Sequence, residues 1–306
     1  MIMTQDRVLA LPSKGRLKES AEEYLTKKMG LTIKGGSNRG YTADLYVGEQ
    51  SYPVIYQQAR DIAEGIVGGH LAFGVSGVDL LEEVGGREGQ DYNILFPLGF
   101  GHADLVVAVP DAWVDVRSMS DLGEVAQDFF QRHGRRMRVA TKYHRLTRRF
   151  FLDHHVHEFR IVDSSGATEG APYAGQAELI VDITSTGSTL KANDLRVLDD
   201  GLMLSSQAVL AASLGWKQTA KDVRLQELFM ALHHAQEAAR ACVLVQVQAT
   251  RLPQKLREEL VNRSLVVAAD QGRFVLPRDE LATLVAEGLF AEEHAVSISS
   301  LDYASY

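Results

Sequence analysis

The chain has 306 residues, of which 45% are hydrophobic and 24% are charged, a composition typical of a globular protein with two or three domains. The net charge of −8 argues against broad nucleic-acid binding, which requires a basic surface. The single cysteine, Cys242, excludes an internal disulfide and any multi-cysteine metal site. No apolar run approaches the roughly 20 residues that span a bilayer, and the first residues lack the pattern of a signal peptide. We therefore expect a soluble, cytoplasmic protein with no membrane or nucleic-acid partner.

The first third of the chain alternates strands, glycine-containing turns and helices. Predicted strands cover residues 7–11, 41–47, 54–57 and 71–75, and predicted helices cover residues 16–29 and 59–70, with a further helix beginning at Asp79. This rhythm is typical of α/β proteins in which a mostly parallel sheet carries helices on its faces.

The turn after the first strand contains Lys14, Gly15 and Arg16. A strand, a glycine turn and a helix start form an anion-binding arrangement, in which two cations suit a bound diphosphate. The alternative is a solvated turn with ordinary surface cations. Taken by itself, the turn favours that alternative.

The middle of the chain predicts a second α/β unit. Its strands are expected at residues 105–110, 137–141, 159–163 and 179–183, its helices at 121–133 and 146–152, and two strands at 196–197 and 203–211 return to the first unit. We therefore predict lobe I at residues 1–103 and 192–218 and lobe II at residues 104–191. The lobes would be joined by a double crossing, with the site in the cleft between them.

The last part, residues 219–306, predicts a linker helix and a separate small domain. After a helix at 221–239, the pattern predicts a strand at 243–247, a helix at 253–260, strands at 265–269 and 273–276, a helix at 279–290 and a strand at 296–301. This βαββαβ order is ferredoxin-like.

The residues after the strand at 179–183 combine five hydroxyls with one glycine. Thr184, Ser185, Thr186, Ser188 and Thr189 surround Gly187. Buried hydroxyls need partners, so this run makes a poor core, whereas backbone N–H groups and hydroxyls together suit a phosphate. Gly187 permits a positive φ or a close approach to a ligand. The run alone fits a polar turn with a helix cap equally well.

Two carboxylates accompany this loop. Asp182 ends the strand that leads into the loop, and Glu169 lies in a second glycine-rich turn upstream. Glu169, Asp182 and the residues 186–190 (TGSTL) resemble the signature of the ATP phosphoribosyltransferases, the enzymes that open histidine biosynthesis. Residues 9–17 (LALPSKGRL) and 73–83 (FGVSGVDLLEE) resemble two further blocks of that family, and residues 6–210 follow its pattern.

The resemblance implies a reaction and a set of roles. Adenine N1 of ATP attacks the anomeric carbon of phosphoribosyl pyrophosphate, and pyrophosphate leaves to give phosphoribosyl-ATP. Residues 184–189 would hold the 5′-phosphate, while Asp182 and Glu169 would bind the ribose hydroxyls and stabilise positive charge on the sugar. Lys14, Gly15 and Arg16 would face the diphosphate or the ATP phosphates, and Lys142 is a further candidate, although a solvated helix face is at least as good a reading of its surroundings. Mg²⁺ would arrive on the substrate diphosphate with mostly water ligands, and not in an all-protein cage.

The resemblance also implies partners and a fold. The two lobes would resemble those of periplasmic solute-binding proteins, and the tail would resemble a regulatory domain with a feedback site for histidine. Histidine and AMP are candidate inhibitors. The extra tail favours a homo-oligomer that works alone, while short-form relatives require a second regulatory subunit.

Some features depart from the family pattern. Many members have Arg at the position of Gln58, where Arg60 lies close by, and the usual acidic residue is replaced by Ala72. A non-catalytic small-molecule sensor is the alternative function, because two lobes and a ferredoxin-like tail also suit ligand-gated binding. Paired carboxylates beside a phosphate loop favour the enzyme.

Overall fold

The computed structural model describes residues 9–35, 40–164, 166–214, 227–228, 230, 232, 242–247, 254–263, 266–268, 273–277, 281, 283–284 and 296–300. The chain divides into two compact units. The first unit is Met1–Lys18 with Ile55–Gln218, and the second is Glu19–Val54 with Thr219–Tyr306.

In chain order, the strands are β1 (Leu9–Pro12), β2 (Thr32–Gly35), β3 (Thr42–Val47), β4 (Gln50–Gln57), β5 (Phe73–Gly77), β6 (Tyr92–Pro97), β7 (Ala103–Pro110), β8 (Met137–Thr141), β9 (Phe159–Asp163), β10 (Leu179–Thr184), β11 (Leu195–Ser206), β12 (Ala208–Ser213), β13 (Cys242–Val247), β14 (Val266–Ala268), β15 (Arg273–Pro277) and β16 (Val296–Ser300). The helices are α1 (Gly15–Glu23), α2 (Ala59–Val67), α3 (Val78–Glu83), α4 (Met119–His133), α5 (His144–Asp153), α6 (Ser188–Ala192) and α7 (Gln254–Arg263), with a π-turn at Tyr24–Lys28 and a 3₁₀ turn at Thr168–Gly170.

The first unit contains two sheets, each with helices packed on it. Within this unit, one sheet has the strand order β4-β1-β5-β12-β6 and is called lobe I below. Strands β1 and β5 are parallel, and β12 is antiparallel to both of its neighbours. Helix α2 packs closely on this sheet through Ile62, because a Cβ on Gly74 would lie only 2.5 Å from the Ile62 side chain. The observed mixed α/β fold confirms the predicted fold class at this level.

Lobe II is the second sheet of the same unit, with the order β11-β7-β10-β8-β9. Strand β10 lies in its interior, antiparallel to β7 and parallel to β8. Its first three residues, Leu179, Ile180 and Val181, are buried, because both faces of the sheet are covered. Helix α4 begins at a capping box formed by Ser118 and Asp121 and ends at Gly134, whose φ is +63°.

Two chain segments connect the lobes. The first joins β6 to β7, and the second joins β11 to β12 through Gln207. The segments hydrogen-bond to each other, since Ala208 N donates to Phe100 O at 2.9 Å and Leu98 N donates to Ala208 O at 3.0 Å. The lobes therefore share a paired crossing.

A half-buried carboxylate fixes the start of β10 against β8. Glu178 accepts hydrogen bonds from the Arg138 backbone N–H at 2.6 Å and from the guanidinium of Arg138 at 2.8 Å, and Arg135 adds a third donor at 3.1 Å. Burial alone raises the pKa of this carboxyl, but the bonds from Arg138 and Arg135 outweigh burial and lower the pKa to about 2.

Glu178→Gln is expected to destabilise the first unit by about 2 kcal/mol at neutral pH, after allowance for solvent screening. The pKa is lowered from 4.5 in the unfolded chain to about 2 in the folded chain, so this stability is present above pH 4.5 and is lost as the pH falls towards 2. Urea unfolding at pH 7 and pH 3 measures the effect. The difference in unfolding free energy between wild type and variant should be smaller at pH 3 than at pH 7. Asp128→Asn is the control, because Asp128 belongs to the same unit and pairs with Arg132 in solvent. An equal difference in unfolding free energy at both pH values would contradict the stabilising role of the Glu178 carboxylate.

The second unit contains the antiparallel pair β2–β3, the start of β4 and a separate antiparallel sheet. The separate sheet has the order β14-β15-β13-β16, and α7 connects β13 to β14. Leu256 and Leu260 of α7 pack with Val245, Phe274 and Leu276 of the strands. The predicted helices at 221–239 and 279–290 lie almost wholly outside the described residues.

Candidate active site

Asp182 lies at the end of the buried part of β10. Its strand is held on both sides, with Asp182 opposite Val106 of β7 and Ile180 opposite Ala140 of β8. Strands β8 and β10 are parallel, so Asp182 and Lys142, which follows β8, emerge at the same edge of lobe II. The carboxyl ends of strands are the usual ligand-binding edge of such sheets.

Two other predicted site residues, Glu169 and Lys142, influence the Asp182 carboxyl. Burial is the largest effect and raises its pKa, and the nearby charge of Glu169 raises it further. Hydrogen bonds from the Ile183 N–H, at 2.9 Å, and from the Thr168 hydroxyl oppose this rise, as does the charge of Lys142. The net pKa is raised. The fold therefore places Asp182, Glu169 and Lys142 in one electrostatic cluster.

The turn that carries Glu169 is fixed by hydrogen bonds on both sides. Thr168 is buried, and its hydroxyl lies 2.8 Å from the hydroxyl of Ser164. Lys142 Nζ donates to the Gly166 carbonyl at 3.1 Å and so ties the end of β8 to this turn. Beside the turn is a cavity of about 580 Å³, whose lining includes Gly170, Ala171 and Ala174. Small side chains leave room there for a ligand group.

The hydroxyl-rich loop, residues 184–189, is folded by its own side chains. Thr184 Oγ1 accepts from Gly187 N at 2.9 Å, and the hydroxyls of Thr186 and Ser188 lie 2.9 Å apart. Ser185 Oγ donates to the His102 carbonyl at 3.1 Å. Ser185, Thr186, Ser188 and Thr189 are exposed and Thr184 and Gly187 are half-buried, so the loop faces solvent and is not part of a core.

Gly187 is required by the backbone of this loop. Its φ is +72°, a left-handed conformation that side chains with a Cβ rarely adopt, and a Cβ there would meet nothing within 4 Å. The residue is therefore constrained by conformation and not by crowding.

Lys14, Gly15 and Arg16 are exposed where β1 leads into the start of α1, and Gly15 has a φ of +72°. Among the described residues, neither Lys14 nor Arg16 has a hydrogen bond or ion pair that fixes its side chain. Strand β1 is parallel to β5, so this turn lies at the same edge of lobe I as the start of α3. The described contacts do not join these two cations to the Asp182 cluster.

Arg60 reaches across the lobes where Gln58 does not. Arg60 Nη1 lies 3.5 Å from the Lys142 carbonyl, and Arg60 Nη2 lies 3.9 Å from Glu83. Gln58 is exposed at the start of α2 and makes no side-chain cap there. Arg60 thus contacts both lobes, whereas its role in place of the arginine that many family members have at the position of Gln58 stays a prediction.

Three residues beside this cluster were not predicted from the sequence as part of the site. Tyr143, directly after Lys142, is buried and donates to Asp79 of α3 at 2.7 Å. Glu83, four residues further along α3, is also buried and contacts the start of α5. Asp79 and Glu83 lie four residues apart on one helix face, but the same spacing describes a solvated face, so the sequence carried no signal that distinguished them.

The fold and the site together define a class of protein. Two α/β lobes with a paired crossing carry two carboxylates beside a solvent-facing, hydroxyl-rich glycine loop. Such an arrangement suits a protein that binds a sugar phosphate. No described helix is long and apolar enough to cross a bilayer.

Comparison with known proteins identifies the family. The model of the HisG family, ATP phosphoribosyltransferase, matches residues 58–234. The ATP phosphoribosyltransferase of Nitrobacter winogradskyi is 44% identical over 98% of this chain and 94% of its own length, and that of Rhodopseudomonas palustris strain BisA53 is 51% identical over 78% of this chain and 73% of its own length. A solved structure described as the ATP phosphoribosyl transferase (HisG:HisZ) complex from Thermotoga maritima is 26% identical, with a TM-score of 0.56, over 76% of this chain and 99% of that one.

The chain belongs to the ATP phosphoribosyltransferase family. It is therefore a pentosyltransferase that condenses ATP with phosphoribosyl pyrophosphate in the first step of histidine biosynthesis. The resemblance stated from the sequence is confirmed, and the sensor alternative is set aside.

Proposed function

We propose that Asp182, Glu169 and the loop 184–189 bind the phosphoribosyl group during this reaction. The observation that carries the proposal is the shared electrostatic cluster of Asp182, Glu169 and Lys142 next to the solvent-facing loop. The loop hydroxyls and N–H groups would hold the 5′-phosphate, and the two carboxylates would accept hydrogen bonds from the ribose hydroxyls.

The bond changes fit this arrangement. The adenine N1 lone pair forms a bond to the anomeric carbon, the C–O bond to the diphosphate breaks, and pyrophosphate leaves with the bonding electrons. Positive charge develops on the ribose, next to two half-buried carboxylates that are less screened by solvent than surface charges. Pyrophosphate is a stable anion, so catalysis rests on positioning and charge stabilisation more than on a strong general acid.

The cations serve the leaving group in this proposal. The charge of Lys142 acts on Asp182, so Lys142 is a candidate to contact the diphosphate. Lys14, Gly15 and Arg16 would reach it or the ATP phosphates from lobe I, where their exposure leaves them available. The cavity beside Glu169 offers space for another part of a substrate.

Mg²⁺ would reach this site on the substrate diphosphate, with mostly water as its other ligands. Asp182 and Glu169 offer carboxylate oxygens, the donor type that Mg²⁺ prefers, but in this proposal they bind the ribose. Within the described part of the chain, no group of three His, Cys, Asp or Glu side chains could hold a metal ion. Bound with the diphosphate, Mg²⁺ would neutralise charge on the leaving group, while Asp182 and Glu169 would orient the ribose.

The finer architecture is part of the proposal. Lobes I and II would resemble periplasmic solute-binding proteins, with boundaries at residues 1–103 and 192–218 for lobe I and 104–191 for lobe II. Residues 219–306 would form the linker and a ferredoxin-like regulatory domain. The order β14-β15-β13-β16, with α7 after β13, supports that domain.

Histidine and AMP would act as inhibitors of a cytoplasmic homo-oligomer. A second regulatory subunit is the alternative, and the name of the Thermotoga maritima structure, a HisG:HisZ complex, gives a precedent for a two-component assembly. Sedimentation and activity measured with and without histidine decide between them. We expect the isolated chain to be active, and histidine to change its size, its rate or both. If neither responds, the regulatory assignment of residues 219–306 is wrong.

The reaction itself is tested with the purified full chain. Mixing it with ATP, phosphoribosyl pyrophosphate and Mg²⁺ should give an adduct that absorbs near the adenine band, and omitting either substrate should abolish the signal. The absence of adduct, even with a regulatory subunit supplied, would contradict the activity.

A further inference from the structure

Helix α3 of lobe I directs two buried carboxylates at lobe II. Asp79 and Glu83 are four residues apart and so lie on one face of the helix. Their exposed fractions are only 8% and 5%. Buried carboxylates require partners, and nearly all the partners of this pair come from residues distant in the chain.

Glu83 caps the first turn of α5 from the opposite lobe. Its carboxylate accepts from Arg145 N at 3.1 Å and from Leu146 N at 3.0 Å. Tyr143, the residue before α5, supplies no side-chain cap. Glu83 therefore provides the negative charge and the acceptors that the start of α5 would otherwise lack.

Asp79 fixes the residue next to Lys142. It accepts from the Tyr143 hydroxyl at 2.7 Å and from the Ser206 hydroxyl at 2.6 Å. Ser206 ends β11, at the crossing between the lobes. Burial and the nearby Asp79 raise the pKa of Tyr143, so its hydroxyl remains protonated and donates.

Lys142 lies between these contacts and the site. The next residue in the chain is Tyr143, which Asp79 fixes, and the guanidinium of Arg60 approaches the Lys142 carbonyl. The Lys142 ammonium group contacts the Gly166 carbonyl and influences Asp182. The contacts from α3 thus end at Lys142, a cation of the Asp182 cluster.

We propose that Asp79 and Glu83 are positioning residues that form an interlobe latch, which holds Lys142 in place to bind the diphosphate of phosphoribosyl pyrophosphate. The latch acts only through Tyr143 and the start of α5. This inference rests on the role proposed above for Lys142. Separating the lobes would leave two buried carboxylates without their donors, so the latch also resists movement of the lobes about their crossing.

A double-mutant cycle on kcat/KM for phosphoribosyl pyrophosphate tests the latch. Glu83→Gln keeps the size of the side chain but removes its charge, and we expect a loss of about tenfold, the effect of weakening hydrogen bonds to a charged group. In a Lys142→Met background the same change should alter kcat/KM by less than about twofold. Tyr143→Phe removes a single hydroxyl and should follow the same pattern even if the Glu83 variant folds poorly.

Glu82→Gln is the matched control. Glu82 neighbours Glu83 and also reaches lobe II, but its partner Arg149 is largely exposed, so kcat/KM should stay within about twofold of wild type. A purely structural role for the latch predicts the same fold-loss from Glu83→Gln and Tyr143→Phe in both backgrounds, and that result overturns the inference.

The remaining outcomes separate the two proposals. If Lys142→Met is impaired while the Glu83 and Tyr143 variants match wild type, the latch is wrong and the site assignment stands. If Lys142→Met itself matches wild type, both the role of Lys142 and the latch are wrong.

Discussion

Asp182→Asn is expected to lower kcat by about 10²- to 10³-fold, the range seen when one electrostatic contact to a transition state is removed. The amide keeps the shape of the side chain but removes the negative charge that faces the ribose. The effect should fall mainly on kcat, because positive charge on the sugar develops only in the transition state. Initial rates of adduct formation at saturating substrates measure it.

Asp128→Asn is the control for this substitution. Asp128 is exposed on α4 and pairs with Arg132 in solvent, so its loss should leave kcat unchanged. Wild-type kcat and KM together for Asp182→Asn would remove Asp182 from the mechanism. If only KM changed, the carboxylate would bind the ribose without stabilising its charge.

Gly187→Val is expected to raise the KM for phosphoribosyl pyrophosphate by roughly ten- to a hundredfold. Val cannot adopt the φ of +72° without strain, so the loop should rearrange and misplace its phosphate donors. The space around the glycine is open, so steric crowding does not contribute. Steady-state kinetics with phosphoribosyl pyrophosphate varied at fixed ATP measures the change.

Gly134→Val is the control, because it introduces the same backbone strain outside the loop 184–189. Gly134 has a φ of +63° at the end of α4, and it also has open space where a Cβ would lie. This variant should lose about 1–2 kcal/mol of stability with no change in KM. Similar KM changes in both variants would indicate a global effect and would contradict the role of the loop.

The sequence predicted the elements whose own residues determine them. Strand β10 was predicted because an apolar run ends in a polar loop, and β8 and β9 were predicted with their observed limits because each is short and bounded by polar residues. The proximity of the loop to Asp182 was also predictable, because the two are adjacent in the sequence.

The missed elements depend on partners elsewhere in the chain. Strand β2 is mostly exposed, so it has no alternating apolar pattern, and it exists through its pairing with β3. Strand β6 forms by pairing with β12, which lies more than a hundred residues away. The predicted helix at 16–29 continues from α1 into a π-turn, where Met29 N donates to Tyr24 O at 3.0 Å. Thr26 also donates to the Glu22 carbonyl at 2.7 Å, a bond that competes with regular helix geometry.

The site was predicted more completely on lobe II than between the lobes. Asp182, Glu169 and the loop belong to one stretch, whereas the contacts of Asp79 and Glu83 join residues more than sixty positions apart. Acidic residues on a helix give no sign of such partners, because the same pattern describes a solvated face. Only the three-dimensional fold shows that these two are buried.

A crystal structure of the full chain with phosphoribosyl pyrophosphate bound would test the central assignment most directly. We predict the 5′-phosphate within hydrogen-bonding distance of the hydroxyls and N–H groups of residues 184–189, with the ribose hydroxyls on Asp182 and Glu169. A 5′-phosphate bound at any other place, with this loop facing empty solvent, would contradict it.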